Sequence, residues 1–400
     1  MSAPISTSTN RPRPAPAASA LRWSNPRVRA ALYQWGLAAL LVGAGLWAAG
    51  NVAANLARAG VALDFGFFFQ RAGFDISIAW IDYDATDSYA RAFAVGLLNT
   101  LALAFAAVVS ATLVGVFAGV AQVSGNPLAE WASRGYVGLM RNLPKLVILL
   151  AVYIALLNAL PGVRAAFNPL PGVFICNRGI FLPAPQWNAA QWLQLLGVAL
   201  GAVLAIGHAR RARRLREARG HAPAVLPLTL ALLAAGVVLP GLAFGWPDWS
   251  VPQRAGFSFD GGVLASIQFV ALWFALTVYH GAQIAEIVRG GIQAVPRGQW
   301  EAAAALGLSP AQQLRRVVLP QVLRITLPPM TSQFLNLLKN TSIGLAVGYT
   351  ELLAVAGTTI NQSFRPVEVM TVVMTVYLAI GLLLSGAMNL LNARLQGPRR

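Results

Sequence analysis

Eight runs of about 20 predominantly apolar residues recur along this 400-residue chain, and no other feature limits its folding as severely. Each run is long enough to cross a bilayer. In lipid the backbone must satisfy its own hydrogen bonds, so the admissible solution is a bundle of helices. The runs lie at approximately 31–50, 90–123, 143–160, 191–208, 222–244, 262–288, 330–349 and 367–391. Only 11% of the residues are charged, against about 25% in an ordinary soluble domain. Too few polar groups remain to cover a water-facing surface, and the expected fold class is all-α, a polytopic transmembrane bundle.

The charge distribution orients the bundle. Lys and Arg number 30 against 13 Asp and Glu, a net charge of +17. Arginines gather in a Pro/Ser/Ala-rich leader (Arg11, Arg13, Arg22, Arg27, Arg29), in 134–145, in 210–219, in 289–324 and at the tail. An even number of spans puts all these segments on one side. The remaining loops, which hold Asp64, Asp75, Asp82, Asp84, Asp87, Asp248, Asp260 and Glu368, are near neutral. That is the positive-inside pattern, with the N- and C-termini both cytoplasmic. The basic character therefore has a topological cause and implies no nucleic-acid partner. A cleaved signal peptide is disfavoured, because the first apolar run begins only at Ala31 and exceeds an h-region of about 7–15 residues.

The organisation expected is a disordered basic leader at 1–30, a first span with an external interfacial segment at 31–89, a first core part at 90–160, an inserted loop with two extra spans at 161–261, a second core part at 262–392 and a cytoplasmic tail at 393–400. The aromatic stretch from Leu63 to Ile76 is expected to hug the membrane interface or to meet an external partner. The arginines between the two extra spans can meet anionic lipid headgroups.

One loop carries more information than the spans, and it lies at 296–320 between the sixth and seventh. It reads as two short helices joined by a turn. Pro296 opens the first helix, Ala302 to Ala305 keep it narrow, and Gly307 supplies the left-handed residue that ends it. Ser309, Pro310 and Gln312 form a capping-box pattern for the second helix, which Pro320 is expected to stop. Such a knob suits insertion into a partner's groove.

Glu301-Ala302-Ala303, Gly307 and Leu319-Pro320 together resemble the EAA loop of bacterial ABC importer permeases. Gly281 to Gln293 before the loop and Lys339-Asn340-Thr341-Ser342 after it are similar to polar amino-acid permeases of the histidine/glutamine type. Arg141-Asn142-Leu143-Pro144 and Gly96 to Leu101 resemble earlier motifs of the same proteins, and the long external segment with the 161–261 insertion resembles the larger general L-amino-acid permease subunits. The resemblance implies a type I importer fold with Glu301, Ala302, Ala303, Gly307, Leu319 and Pro320 seating in an ATPase subunit. It implies as partners an ATPase dimer, a second related permease subunit forming a heterodimer, a periplasmic amino-acid-binding protein and membrane lipid.

Polar residues on the spans are the candidates for a substrate path. Gln333, Asn336 and Asn340 share one helical stripe, which either lines a cavity or holds helices together. Thr341 and Ser342 stand beside them. His280 and Gln283 lie on the sixth span, running toward a Glu286–Arg289 pair, and Asn99 and Thr100 lie on the second. Lys339 needs an acid such as Glu351, water or a boundary position, because a charge at mid-membrane costs about 2.5–3.5 kcal/mol.

No catalytic pattern accompanies them. The phosphate-cradling motif needs a lysine after glycine, and the two lysines, Lys145 and Lys339, follow proline and leucine. His and Cys are too scattered for a metal site. The expectation is a non-enzymatic permease that binds no cofactor itself, with ATP and Mg used by the partner ATPase. The alternatives are an ion-gradient-driven secondary amino-acid transporter, for which inverted repeats would be the sign, and a membrane scaffold without transport.

Overall fold

The structure, a computed structural model, describes residues 26–58, 63–186, 189–219, 224–246 and 248–396. The leader and the end of the tail lie outside the described residues. Among those described, six helices are long and apolar enough to cross a membrane, and two sharply bent helix pairs bring the number of possible spans to eight.

The first span is helix α1, Pro26–Arg58, exposed along almost its whole length. It belongs to a compact unit of its own, and the rest of the chain from Gly66 onward forms the second.

In that second unit, helices α2 (Tyr89–Ala121), α3 (Pro127–Asn142), α4 (Lys145–Ala159), α5 (Ala189–Arg219), α6 (Val225–Phe244) and α7 (Ile267–Gln293) precede the loop. The chain reverses between α3 and α4 through 105°. The cause is Pro144, which forces the preceding Leu143 into extended backbone at ψ 137°. The loop then contains α8 (Arg297–Ala305) and α9 (Pro310–Gln313), followed by α10 (Leu319–Asn340), α11 (Leu352–Ser363) and α12 (Pro366–Gln396). A second bend, of 53°, falls between α10 and α11, where Gly348 is left-handed and the Glu351 carboxylate accepts the Leu353 and Ala354 amides.

The core is the α2–α7 pair. A Cβ on Gly115 would lie 2.5 Å from Ile284 Cγ2, and one on Gly119 would lie 2.7 Å from the Ala285 carbonyl oxygen. The two backbones therefore touch, as small residues permit in helices that pack without a hydrophobic drive. Leu149 from α4, Leu337 and Leu338 from α10 and Tyr349 complete this cluster.

Three features depart from the sequence reading. The 161–261 insertion is not simply a loop and two spans. Strands β1 (Phe167–Leu170), β2 (Val173–Cys176), β3 (Gly179–Leu182), β4 (Ala184–Pro185), β5 (Trp249–Ser250), β6 (Gln253–Ala255), β7 (Ser258–Asp260) and β8 (Val263–Ser266) flank the α5–α6 hairpin. Strands β1, β2, β3 and β8 make one antiparallel sheet, and β4 pairs with β5, so the hairpin leaves and returns through a closed ladder. Gly179, at φ +135°, allows the close approach of β3 to β8, since a Cβ there would lie 2.2 Å from the Ala265 carbonyl oxygen. Residues 263–266, expected within the sixth span, are in β8, and the span starts after Ser266, which caps α7 through the Phe269 amide.

The aromatic stretch after Leu63 also behaves differently. Phe67, Phe68, Ala72 and Ile76 are buried against Phe93, Leu352 and Val355. The segment folds back onto α2 because Tyr89 N–H donates to the Gln70 carbonyl and Ala72 N–H to that of Asp87. Phe67 and Phe68 therefore meet other rings, with Phe68 and Phe93 5.1 Å apart, edge to face, while Phe65 and Phe69 stay exposed.

Pro320 does not stop the second loop helix. A π-helical turn at Leu314–Val318 precedes it, and Leu319 N–H reaches back to the Leu314 carbonyl. The wider turn makes room for the proline ring and absorbs its missing donor, so the chain runs on into α10.

Candidate functional site

The polar candidates separate into two groups. Near the sheet end of α2, Asn99 is fully buried and donates to the carbonyls of Ile78 (2.8 Å) and Thr350 (2.7 Å), while Tyr349 Oη donates to the Asn99 carbonyl. Thr100 Oγ1 donates to Gly96 and accepts the Leu352 amide. These contacts tie α2 to the α10–α11 bend, and both residues act there as a junction.

The second group joins three helices. Asn340 on α10 lies 3.0 Å from His280 Nε2 on α7, and its Oδ1 accepts the ammonium of Lys145 at the start of α4. Gln333, two steps down the stripe, stands half-buried beside the imidazole. Asn336, between them in sequence, is exposed, and Gln283 is half-buried on α7. Thr341 and Ser342 donate to carbonyls of their own helix, at Leu338 and Lys339. Lys339 is exposed, and the Glu351 carboxylate bonds the α11 amides and Tyr377 Oη. The stripe thus does cross-helix work at Asn340. Sequence reasoning missed Lys145, although a lysine opening an apolar run after Pro144 was the available signal.

Toward the far end of α7, Glu286 accepts Arg289 at 2.9 Å, as the spacing suggested, and also pairs with Arg141 of α3 at 3.3 Å. With Gln122 and Arg134 these residues line an open cavity of about 330 Å³. Arg141 was legible as part of a motif, but its partner lies far along the chain.

The loop knob follows directly. Helix α8 ends in a Schellman closure, with Gly307 N–H bonded to the Ala304 carbonyl and Leu308 N–H to that of Ala303, while Gly307 takes φ +71°. The Ser309 amide donates to Gln312 Oε1 at 3.0 Å, one arm of the capping box. Ala303 is buried, whereas Glu301, Ala302, Leu319 and Pro320 are exposed and Leu306 at the turn is 80% exposed. Behind the knob, Val295, Val318 and Val322 pack with Ile292 and Trp300. The Gly291 of α7 sits against Thr326 of α10. The knob is therefore packed against the two helices that bear His280 and Asn340.

Residues 223–397 match the family model described as the inner membrane component of binding-protein-dependent transport systems. The chain is 38% identical to the general L-amino acid transport system permease protein AapQ of Rhizobium johnstonii, across 93% of each. The chain belongs to the amino-acid ABC transporter permeases. It is also 36% identical to the glutamate/glutamine/aspartate/asparagine transport system permease protein BztB of Rhodobacter capsulatus, across 90% of this chain and 92% of that one. A solved amino acid ABC transporter overlaps 76% of this chain and 95% of that one at 22% identity, with a TM-score of 0.45. As an ABC permease the chain is a non-catalytic, multi-pass inner-membrane subunit. Its transport is driven by a separate ATPase and depends on a binding protein.

Proposed function

We propose that this permease imports L-amino acids by alternating access, and that the ATPase dimer seats on the knob formed by α8, Gly307 and α9. ATP and Mg act in that dimer, and this chain binds no cofactor. A second, related permease subunit completes the pore as a heterodimer. The knob faces the cytoplasm together with both termini, and a periplasmic amino-acid-binding protein delivers substrate at the opposite, sheet-bearing end of α7.

The observation that carries this reading is the mechanical one. An exposed knob stands on a packed valine cluster shared by α7 and α10, and those helices hold the His280–Asn340 contact. Closure of the ATPase dimer would draw two such knobs together and tilt these helices against α2. The substrate class is supported by the relatives, one a transport system for L-amino acids in general and one for glutamate, glutamine, aspartate and asparagine.

The test is purification of the tagged chain from its own membranes in mild detergent. An ATPase that copurifies, responds to amino acid plus periplasmic extract and is lost from a Gly307→Val preparation is the expected result. Amino-acid uptake by vesicles under an ion gradient alone, with no ATPase bound, would overturn it.

A further inference from the structure

The α5–α6 hairpin carries a groove. Gly197 and Gly236 bring the two backbones together, since a Cβ on Gly197 would lie 2.4 Å from the Gly236 carbonyl oxygen. With Gly201 they leave a trough of about 310 Å³ beside the contact, walled by Leu200, Leu204 and Ala235, and every residue lining it is apolar. Leu200 and Leu204 are exposed. The bare glycines leave their surroundings short of packing partners on that side, and an apolar chain laid in the trough restores them.

The α5 stripe leads from this trough to charge. Leu200, Leu204 and Arg211 stand at i, i+4 and i+11 and so share one face of the helix. Arg210 and Arg211 are both exposed, and they open a stretch, 210–219, with six arginines against one acid, Glu217. From Gly197 to Arg211 the helix rises about 21 Å. That is half of the roughly 40–45 Å of a bilayer with its headgroups. Trough and arginines thus have the spacing of one leaflet, apolar at the depth of acyl chains and basic at the level of phosphates.

The sign of the charge selects the occupant. The exposed helix α1 would bring Arg27 and Arg29 to these arginines, and a second copy of the hairpin would bring the same six again. A phosphodiester brings an anion, which a guanidinium binds through charge-assisted hydrogen bonds, and its acyl chain moulds to an irregular wall. We infer that the hairpin holds one anionic phospholipid of the leaflet its arginine loop faces, with the phosphate at Arg210 and Arg211 and an acyl chain in the trough from Gly197 to Leu204. Attraction of arginines to an anionic surface gathers many lipids loosely, whereas the trough fixes one. The site lies apart from the solute path and stands whichever amino acid the permease carries.

The purified complex of permease and ATPase is exchanged into detergent containing phosphatidylglycerol and phosphatidylcholine with identical acyl chains, and native mass spectrometry reads the lipid retained. One phosphatidylglycerol per copy of this chain is the expected result, and equal retention of the two lipids would overturn the inference. Arg211→Gln should weaken retention about fivefold, the share of one arginine near an anionic surface. Ala235→Phe keeps every arginine and fills the trough, and it should weaken retention by a comparable factor. Retention untouched by Ala235→Phe would reduce the site to a charged surface and refute the bound lipid. Inorganic phosphate in excess should leave the lipid in place; displacement would assign the arginines to free phosphate instead. A last readout needs no variant. Phosphatidylglycerol with a diazirine midway along its acyl chain, irradiated in vesicles holding the wild-type complex, should label residues within 197–204 and 232–240. Labels confined to other helices would contradict the assignment.

Discussion

Helices α2 and α6 are both strongly apolar, yet a third of the α2 span is buried and only 6% of the α6 span. Both pack through glycines. Gly115 and Gly119 bring α2 onto α7, and Gly197 and Gly236 bring α5 onto α6. Both pairs hold buried polar side-chain atoms, those of Gln191, Gln194 and His208 among them on α5, and what distinguishes α2–α7 is that its polar groups bond across the two helices. The α2–α7 pair holds Asn99, Thr100, Thr277 and His280, with Ser110 Oγ 2.6 Å from Thr277 Oγ1 and bonded by Trp273 Nε1. On α6, Thr229 bonds the carbonyl one turn back on its own helix. A polar group placed between helices in lipid has to be satisfied there, and in α2–α7 the facing helix does so through Ser110, Thr277 and Trp273. The hairpin is an excursion clamped at its base by strands.

The largest effect should come from overpacking the inner pair. Gly115→Val puts methyl groups into Ile284 and the Gly281 carbonyl and should cost about 3 kcal/mol or more, enough to remove folded protein from the membrane fraction. Immunoblotting of membranes beside an uptake assay checks this. Next is Gly307→Val. A Cβ there meets nothing within 4 Å, so the penalty is conformational alone, about 1–2 kcal/mol for a side chain held at positive φ. Membrane abundance should stay near wild type while uptake falls to background.

Glu286→Gln should act more mildly. It removes the carboxylate from between Arg141 and Arg289, a partly exposed network worth about 1 kcal/mol. Initial uptake rates should drop several-fold with little change in thermal stability of the purified complex. The smallest effect on transport should come from the outer pair. Gly236→Val would press on the Gly197 carbonyl, 2.5 Å from an added Cβ. It should lower abundance while uptake per molecule stays unchanged. A loss of uptake per molecule there would erase the distinction between the two pairs.

The sequence disclosed what local chemistry determines. The apolar runs gave the spans, and Gly307, Ser309, Pro310 and Gln312 gave the knob, because capping acts within a few residues. It was silent where partners are distant. The β3–β8 ladder joins residues about 80 positions apart through strands of four, too short for alternation to register. Lys145 and Arg141 likewise acquire their meaning only from Asn340 and Glu286. The Pro320 expectation failed for a physical reason, since the rule that proline ends a helix assumes an α turn before it and here the turn is π.

The most direct test of the knob as the point where ATP energy enters is site-specific cross-linking from its apex. In a chain whose one cysteine, Cys176, is changed to Ser, Leu306→Cys offers an 80% exposed position for a short thiol cross-linker in the purified complex and in sealed vesicles of known orientation. The account predicts a covalent product with the ATPase subunit, a yield that changes when ATP binds, and labelling from the cytoplasmic side alone. Labelling of residue 306 from the periplasmic side, with no product containing the ATPase, would contradict it.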